Sequence, residues 1–339
     1  MSLGLSRPDV SSVAFVQAVP EQIYLKGSGF VETSVVRFEV RDGAGNPLPR
    51  QTVQLELLTG AGGITVQDNA GQPVGVGIVI PRDTDDLGRV EIRVNSGTLP
   101  TPVRIQASLP TGGIKTVSSN LSVGVGLPSQ LNFSLSQLAK NIEGFNIDGT
   151  SNTYNIIASD RSGNPVPAGT SINFVTEGGQ VEPIKQIQLV SGLARASAGF
   201  VSADPRPSDG RITVTAYALG EESFIDQNGN NIRDGNEPFQ DLGNIFKDRI
   251  FDGIYDPGVD EYIPTNINNS SPCSLPNTQP AFDAVTGLGR TAVTDALLAL
   301  DASIPSVPST CDSTWSGAGK VYVRRAAETV LSTSVARWC

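Results

Sequence analysis

The chain has 339 residues, with 24 Lys and Arg against 34 Asp and Glu, no histidine and three cysteines. That length allows two domains, each with its own core, and the missing histidine removes every Ser-His-Asp or Cys-His nucleophile and every His-bearing zinc site. A net charge of −10 with no basic patch argues against a nucleic-acid partner, and no apolar run approaches membrane-spanning length.

Short runs of Val, Leu and Ile among 36 Gly and 23 Pro predict an all-β chain rich in turns. In the first unit Val36, Phe38 and Val40 alternate with Arg37, Glu39 and Arg41, which is the period of a half-buried strand. A Gly45-Asn46-Pro47 turn follows. Val53, Leu55 and Leu57 then alternate with Gln54 and Glu56, and Gly62-Gly63 closes the motif. Further strands are predicted over 74–80, 88–94, 102–109 and 115–124, with a boundary near Gly126 to Ser129.

Beyond that boundary a strand is predicted over 129–135, and the motif returns. Tyr154, Ile156 and Ala158 alternate, although Ile157 interrupts the polar face. Gly163-Asn164-Pro165, Ile172 with Phe174, and Gly178-Gly179 complete the second copy. The two Gly-Asn-Pro turns are 118 residues apart, about one domain. Strands over 181–190, 193–201 and 210–218 bring each unit to seven or so, the number of an immunoglobulin-like β-sandwich. The strand 211–220 finds its partner only at 320–334, so 221–319 reads as an insertion in the last hairpin. The expected domains are 8–126, then 127–220 plus 320–335, with 221–319 inserted. An excursion of that length without its own core needs metal ions or a cross-link to order it.

The segment from Glu221 to Tyr262 holds eleven acidic residues against three basic ones, a net −8 of the total −10. Asp226, Asn228, Asn230, Asp234 and Glu237 fall at positions 1, 3, 5, 9 and 12 of a twelve-residue frame. This is the oxygen-ligand spacing of a calcium loop, with the Ile232 carbonyl at position 7. A second cluster, Asp248, Asp252, Asp256 and Asp260, recurs at intervals of four, with Asp241 upstream and Glu261 adjacent. Its Asp252-Gly-Ile-Tyr-Asp256 aligns with Asn230-Asn-Ile-Arg-Asp234, which makes room for a second Ca2+. The alternative is a solvated acidic loop. Against it stand the mutual repulsion of so many carboxylates and the interleaved Phe224, Phe239, Phe246, Phe251, Tyr255 and Tyr262, which a disordered acidic tail would lack. A glycosidase needs two acids facing each other across a cleft, whereas these sit on turn-rich sequence among amides. No enzymatic activity is expected.

Cys273 and Cys311 bracket a Pro-, Ser- and Asn-rich stretch, where a disulfide would restrain the chain in an oxidising compartment. Free buried thiols are the alternative. Cys339 is expected to be unpaired or paired outside this sequence.

The tandem motif of strand, Gly-Asn-Pro, strand and Gly-Gly resembles the group 1 bacterial immunoglobulin-like domains of the intimin and invasin surface proteins, over roughly 10–220 plus 320–335. That resemblance implies sandwiches strung along a bacterial outer surface, outside the cell, acting in adhesion beside neighbouring domains of a longer protein. Neither copy carries a recognisable tip module such as a C-type lectin-like domain, so receptor binding does not transfer. The pattern from Asp226 to Glu237 is similar to the calcium loops in the B repeats of staphylococcal serine-aspartate adhesins and, more distantly, to an EF-hand, from which it departs with Asn231 where that loop has glycine. The expected role is a calcium-rigidified structural and adhesion segment. The alternative makes 221–319 the recognition surface for a host glycan or protein.

Overall fold

The computed structural model describes residues 10–235, 237, 239–263, 265, 270–271, 273, 306–315 and 321–333. Among these the regular structure is strand, apart from two single-turn 3-10 segments at Ala61–Gly63 and Gln130–Asn132. The fold class is all-β, and the chain divides into two compact units at Gly126.

In the first unit a five-stranded sheet runs in the order Val10–Val19, Thr33–Asp42, Arg89–Asn95, Thr65–Gln67 and Pro73–Val74. A four-stranded sheet runs Lys115–Val117, Ile105–Ser108, Thr52–Leu57 and Val79–Asp83. Every second residue turns inward, so Val36, Phe38 and Val40 of one sheet share a core with Val53, Leu55 and Leu57 of the other. All six are fully buried, each side chain contributing about 1.5–3 kcal/mol.

Several expected strands are shorter than the sequence pattern suggests. The span 115–124 is two strands, Lys115–Val117 and Ser122–Gly124, because Asn120 takes a left-handed φ of 63° between them. The span 181–190 is three, Gln180–Val181, Ile184–Gln186 and Gln188–Val190. The first strand, Val10–Val19, escaped the alternation test altogether. Two register shifts along its pairing with Thr33–Asp42 change which side chains face inward, so period two is lost from its sequence.

The second unit pairs Phe133–Gln137, Ser151–Ala158, Leu193–Val201 and Gln180–Val181 in one sheet, with Gln188–Val190 also on Leu193–Val201. The other sheet runs Asn141–Ile142, Val321–Leu331, Arg211–Gly220, Ser171–Thr176 and Ile184–Gln186. Tyr154, Ile156, Phe174, Phe200, Ile212 and Val214 lie in their common core. Gly179 closes the motif because nothing larger fits: its φ is +69°, and a Cβ there would stand 2.4 Å from the Phe200 ring. Arg211–Gly220 pairs antiparallel with Val321–Leu331, from Arg211 opposite Val330 to Gly220 opposite Val321. The chain between those last two residues leaves the sandwich and carries the acidic segment.

Candidate metal centre

The insertion begins on the sandwich. Glu221 donates its N–H to the Pro128 carbonyl and accepts from the Gln130 N–H. Thr213 and Thr215 are buried like their neighbours Ile212 and Val214, so the strand Arg211–Gly220 is covered on both faces from Ile212 to Ala216, while Leu219 is exposed. This is where the acidic segment is anchored.

Asp226 organises the first loop. Its Oδ1 accepts from the N–H of Gly229 at 2.7 Å and of Asn230 at 3.2 Å, and its Oδ2 from that of Asn231 at 2.8 Å. Asn230 Oδ1 accepts from the Ile232 N–H at 2.7 Å. Glu237 closes the loop, accepting from the N–H of Gln227 at 2.8 Å and of Asp234 at 2.9 Å. Asn228 and Asn230 both donate through their side-chain amides to Asp234 Oδ2, so the side chains of positions 3, 5 and 9 meet at one carboxylate oxygen. Gly229 and Asn231 have φ of 73° and 61°. Asn231 therefore takes the left-handed turn for which an EF-hand uses glycine, as asparagine does more readily than most residues.

The second loop repeats the backbone part of this pattern, without the amide bonds to Asp234. Asp248 accepts from the N–H of Asp252 at 3.2 Å and of Gly253 at 2.8 Å, and Asp252 Oδ1 accepts from that of Ile254 at 2.8 Å. Asp260 accepts from the N–H of Arg249 at 2.9 Å and of Asp256 at 2.8 Å, the places Glu237 serves in the first loop. Phe251 and Gly253 have φ of 54° and 79°, matching Gly229 and Asn231. Each loop is also closed by aromatic residues, Phe224 bridged to Phe239 in one and Phe246 paired with Tyr262 in the other. Asp248, Asp252, Asp256 and Asp260 thus correspond to Asp226, Asn230, Asp234 and Glu237. Asp260 lies one residue further along than Glu237 does, and the extra backbone step offsets its shorter side chain. Ile250 stands in the place of Asn228, so the second loop has one oxygen-bearing side chain fewer.

Asp241 and Glu261, both expected near the second cluster, belong to neither loop. Asp241 is buried and accepts from the N–H of Asp312 and Ser313, and burial pushes its carboxyl up to about 6. Glu261 turns to Lys247 and Arg249, and the hydrogen bond from Lys247 chiefly holds its carboxyl below the usual range. Burial likewise raises Asp248, against the backbone N–H bonds it accepts. Among the described residues no three Asp, Glu or Cys side chains converge as a ready-made metal cage. In the first loop the amides of Asn228 and Asn230 turn their nitrogens to Asp234 and their oxygens to the backbone N–H of Asn230 and Ile232.

Cys273 and Cys311 are joined by a disulfide. It secures residues 306–315 against 241–244: Val307 N–H bonds to the Asn244 carbonyl, and Thr310 Oγ1 accepts from the Asn244 N–H. Gly243 has to be glycine here, because a Cβ would stand 2.8 Å from Cys273 Sγ. Cys339 lies outside the described residues, as do 274–305 and 316–320 of the expected insertion.

Sequence reasoning missed Arg161. It follows Asp160 in the second Gly-Asn-Pro turn and pairs with the wholly buried Glu221 at 2.8 Å. Its guanidinium lies 6.0 Å from the Phe224 ring centre and 5.8 Å from that of Trp315. Nothing local marks it, since its partner is 60 residues away.

No family model matches the sequence, and no curated protein matches it. Solved structures align with it at low scores. The D0-D1 domain of intimin is 13% identical with a TM-score of 0.26, over 61% of this chain and 90% of that one. FdeC, a broadly conserved adhesin of Escherichia coli, is 16% identical with a TM-score of 0.27, over 63% of this chain and 62% of that one. The C-terminal 282-residue fragment of intimin, solved with the intimin-binding domain of its translocated receptor, is 11% identical with a TM-score of 0.28, over 93% of this chain and 100% of that one. The assignment to β-sandwiches rests on the strand pairing within each unit.

Proposed function

We propose that the chain is a non-enzymatic structural and adhesion segment of an exported bacterial surface protein, whose second sandwich carries an insertion ordered by calcium. The observation that carries this is the duplication of one loop geometry. Two acidic stretches with different sequences make the same backbone bonds, take left-handed turns at the same positions and close on aromatic residues. Asp226, Asn228, Asn230, Asp234, Glu237 and the Ile232 carbonyl would hold the first ion. Asp248, Asp252, Asp256, Asp260 and the Ile254 carbonyl would hold a second, more weakly for want of an oxygen at Ile250. The ion would supply charge neutralisation and nothing catalytic. A disulfide in the same insertion suits an oxidising compartment, and calcium at extracellular levels would stabilise the folded insertion by mass action.

The rival reading, recognition of a host glycan or protein by the insertion, is favoured by Ile250, Phe251 and Ile254, exposed at 52, 44 and 62% beside the second loop. The structural reading is stronger because Phe239 and Phe246 are buried at the loop closures. Calorimetric titration of the chelated protein with calcium tests it: uptake with a rise in melting temperature is expected, and no uptake at millimolar calcium would defeat it.

A further inference from the structure

Arg161 joins three parts of the second unit that are distant in sequence. From the turn after Ser151–Ala158 it reaches the first residue of the insertion, Glu221, and the edge-to-face rings of Phe224 and Trp315, whose centres are 5.2 Å apart. Its other terminal nitrogen, Nη2, donates to the Asn231 carbonyl at 3.2 Å. Trp315 is tied in turn to the Glu222 carbonyl through its indole N–H. Glu221 is fully buried, and its Oε1 accepts no bond among the described residues. A charge pair so placed recovers its desolvation only when the geometry around it is held.

The contact with Asn231 matters most. The peptide between Asn231 and Ile232 is gripped at both ends, its N–H by Asn230 Oδ1 from within the loop and its carbonyl by Arg161 from the sandwich. That peptide leads directly into the one that bears the Ile232 carbonyl, assigned above to position 7. The first unit provides an internal contrast. Its turn places Gly43 where the second has Arg161, and no insertion follows.

We propose that Arg161 is a positioning residue for the first calcium loop, coupling occupancy of that loop to the docking of Trp315 and its strap on the sandwich. The inference rests on the calcium reading above. Coupling of this kind is reciprocal: what Arg161 contributes to calcium affinity, calcium returns to the docking of 306–315.

The test is calcium titration of the full chain as wild type, Arg161→Lys and Arg161→Ala, each with and without Glu237→Gln, together with hydrogen exchange of 306–315. Lysine keeps a charge opposite Glu221 but lacks the fork that reaches two acceptors and stacks on rings, so it tests the idea even where alanine fails to fold. Weakening of first-loop binding by about tenfold for alanine, within the usual range of coupling between sites, and by about threefold for lysine is expected. In the Glu237→Gln background neither change should alter the remaining uptake. Calcium should slow exchange of 306–315 in the wild type and much less in the variants. A purely structural role would weaken both loops alike and would persist in the Glu237→Gln background, which overturns the inference. A wild type that binds calcium while Arg161→Lys titrates identically overturns it alone. A wild type that binds none overturns the calcium reading and this inference with it.

Discussion

Asp42 and Asp160 occupy the same place in the two units. Asp42 Oδ1 accepts from the N–H of Ala44 and Asn46, and Asp160 Oδ1 from that of Ser162 and Asn164. Gly45 and Gly163 follow with φ of 86° and 81°. One residue after each aspartate the units part. A side chain at Gly43 would meet nothing within 4 Å, whereas Arg161 is held by Glu221, two aromatic rings and a loop carbonyl. A turn kept for its backbone geometry leaves its variable position free, and in one unit that position has become the support for an inserted segment.

The sharpest way to test the contrast is to remove what only the second unit has. Replacing Cys273 and Cys311 by serine frees a loop with a sequence separation of 38, and should destabilise the second unit by about 4 kcal/mol on the chain-entropy model. Urea unfolding followed by hydrogen exchange, peptide by peptide, should leave residues 10–126 unchanged. Loosening of both units alike would show that they are not independent.

Calcium removal comes next. At a free concentration a hundredfold above Kd the ion contributes about 2.7 kcal/mol, and chelation should withdraw it from the second unit alone. Glu237→Gln should abolish the first-loop share and Asp260→Asn the second, as read by the calcium dependence of the melting temperature.

Acid and base should act on the units in opposite directions. Burial pushes Glu177 up to about 7 from 4.5, so the folded state holds that proton more tightly than the unfolded chain. Its contribution is full below 4.5 and lost as pH rises through 7. In the first unit Asp42 is held below 3.8, chiefly by the Asn46 side chain, so its contribution is present above 3.8 and lost on acidification. In chelator, the second unit should lose stability to urea as pH rises from 4.5 to 7, and Glu177→Gln, which keeps an acceptor for the Thr213 N–H, should remove the Glu177 share and leave that of Asp241, raised to about 6. The smallest effect is expected at Gly43→Arg, within about 0.5 kcal/mol in urea unfolding, since it adds an exposed side chain to open space.

The fold was legible where side chains alternate along straight strands, as from Val36 to Val40 and from Val53 to Leu57. It was illegible where the strand itself is irregular, as in Val10–Val19 with its two register shifts. The first acidic loop could be read because all its oxygen-bearing side chains keep one linear spacing. The second shows its four aspartates and the register of Asp252–Asp256 in the sequence, but not its closing residue, since Ile250 interrupts the series and Asp260 arrives one residue late. Only hydrogen bonds to the backbone reveal that Asp260 and Glu237 serve the same amides. Arg161 had no signal at all, because its role depends on residues brought together by the final fold.

The strand Val321–Leu331 lies between Asn141–Ile142 and Arg211–Gly220 and contributes Val323 and Leu331 to the second core. Among the described residues it is the last strand in chain order, and the partner it closes on ends at Gly220. The first unit has all its strands once Gly124 is available, while the second stays open until the whole acidic segment has been delivered. Emerging from its N-terminus, the chain would therefore complete one sandwich early and hold the other unfinished until the whole acidic segment had followed.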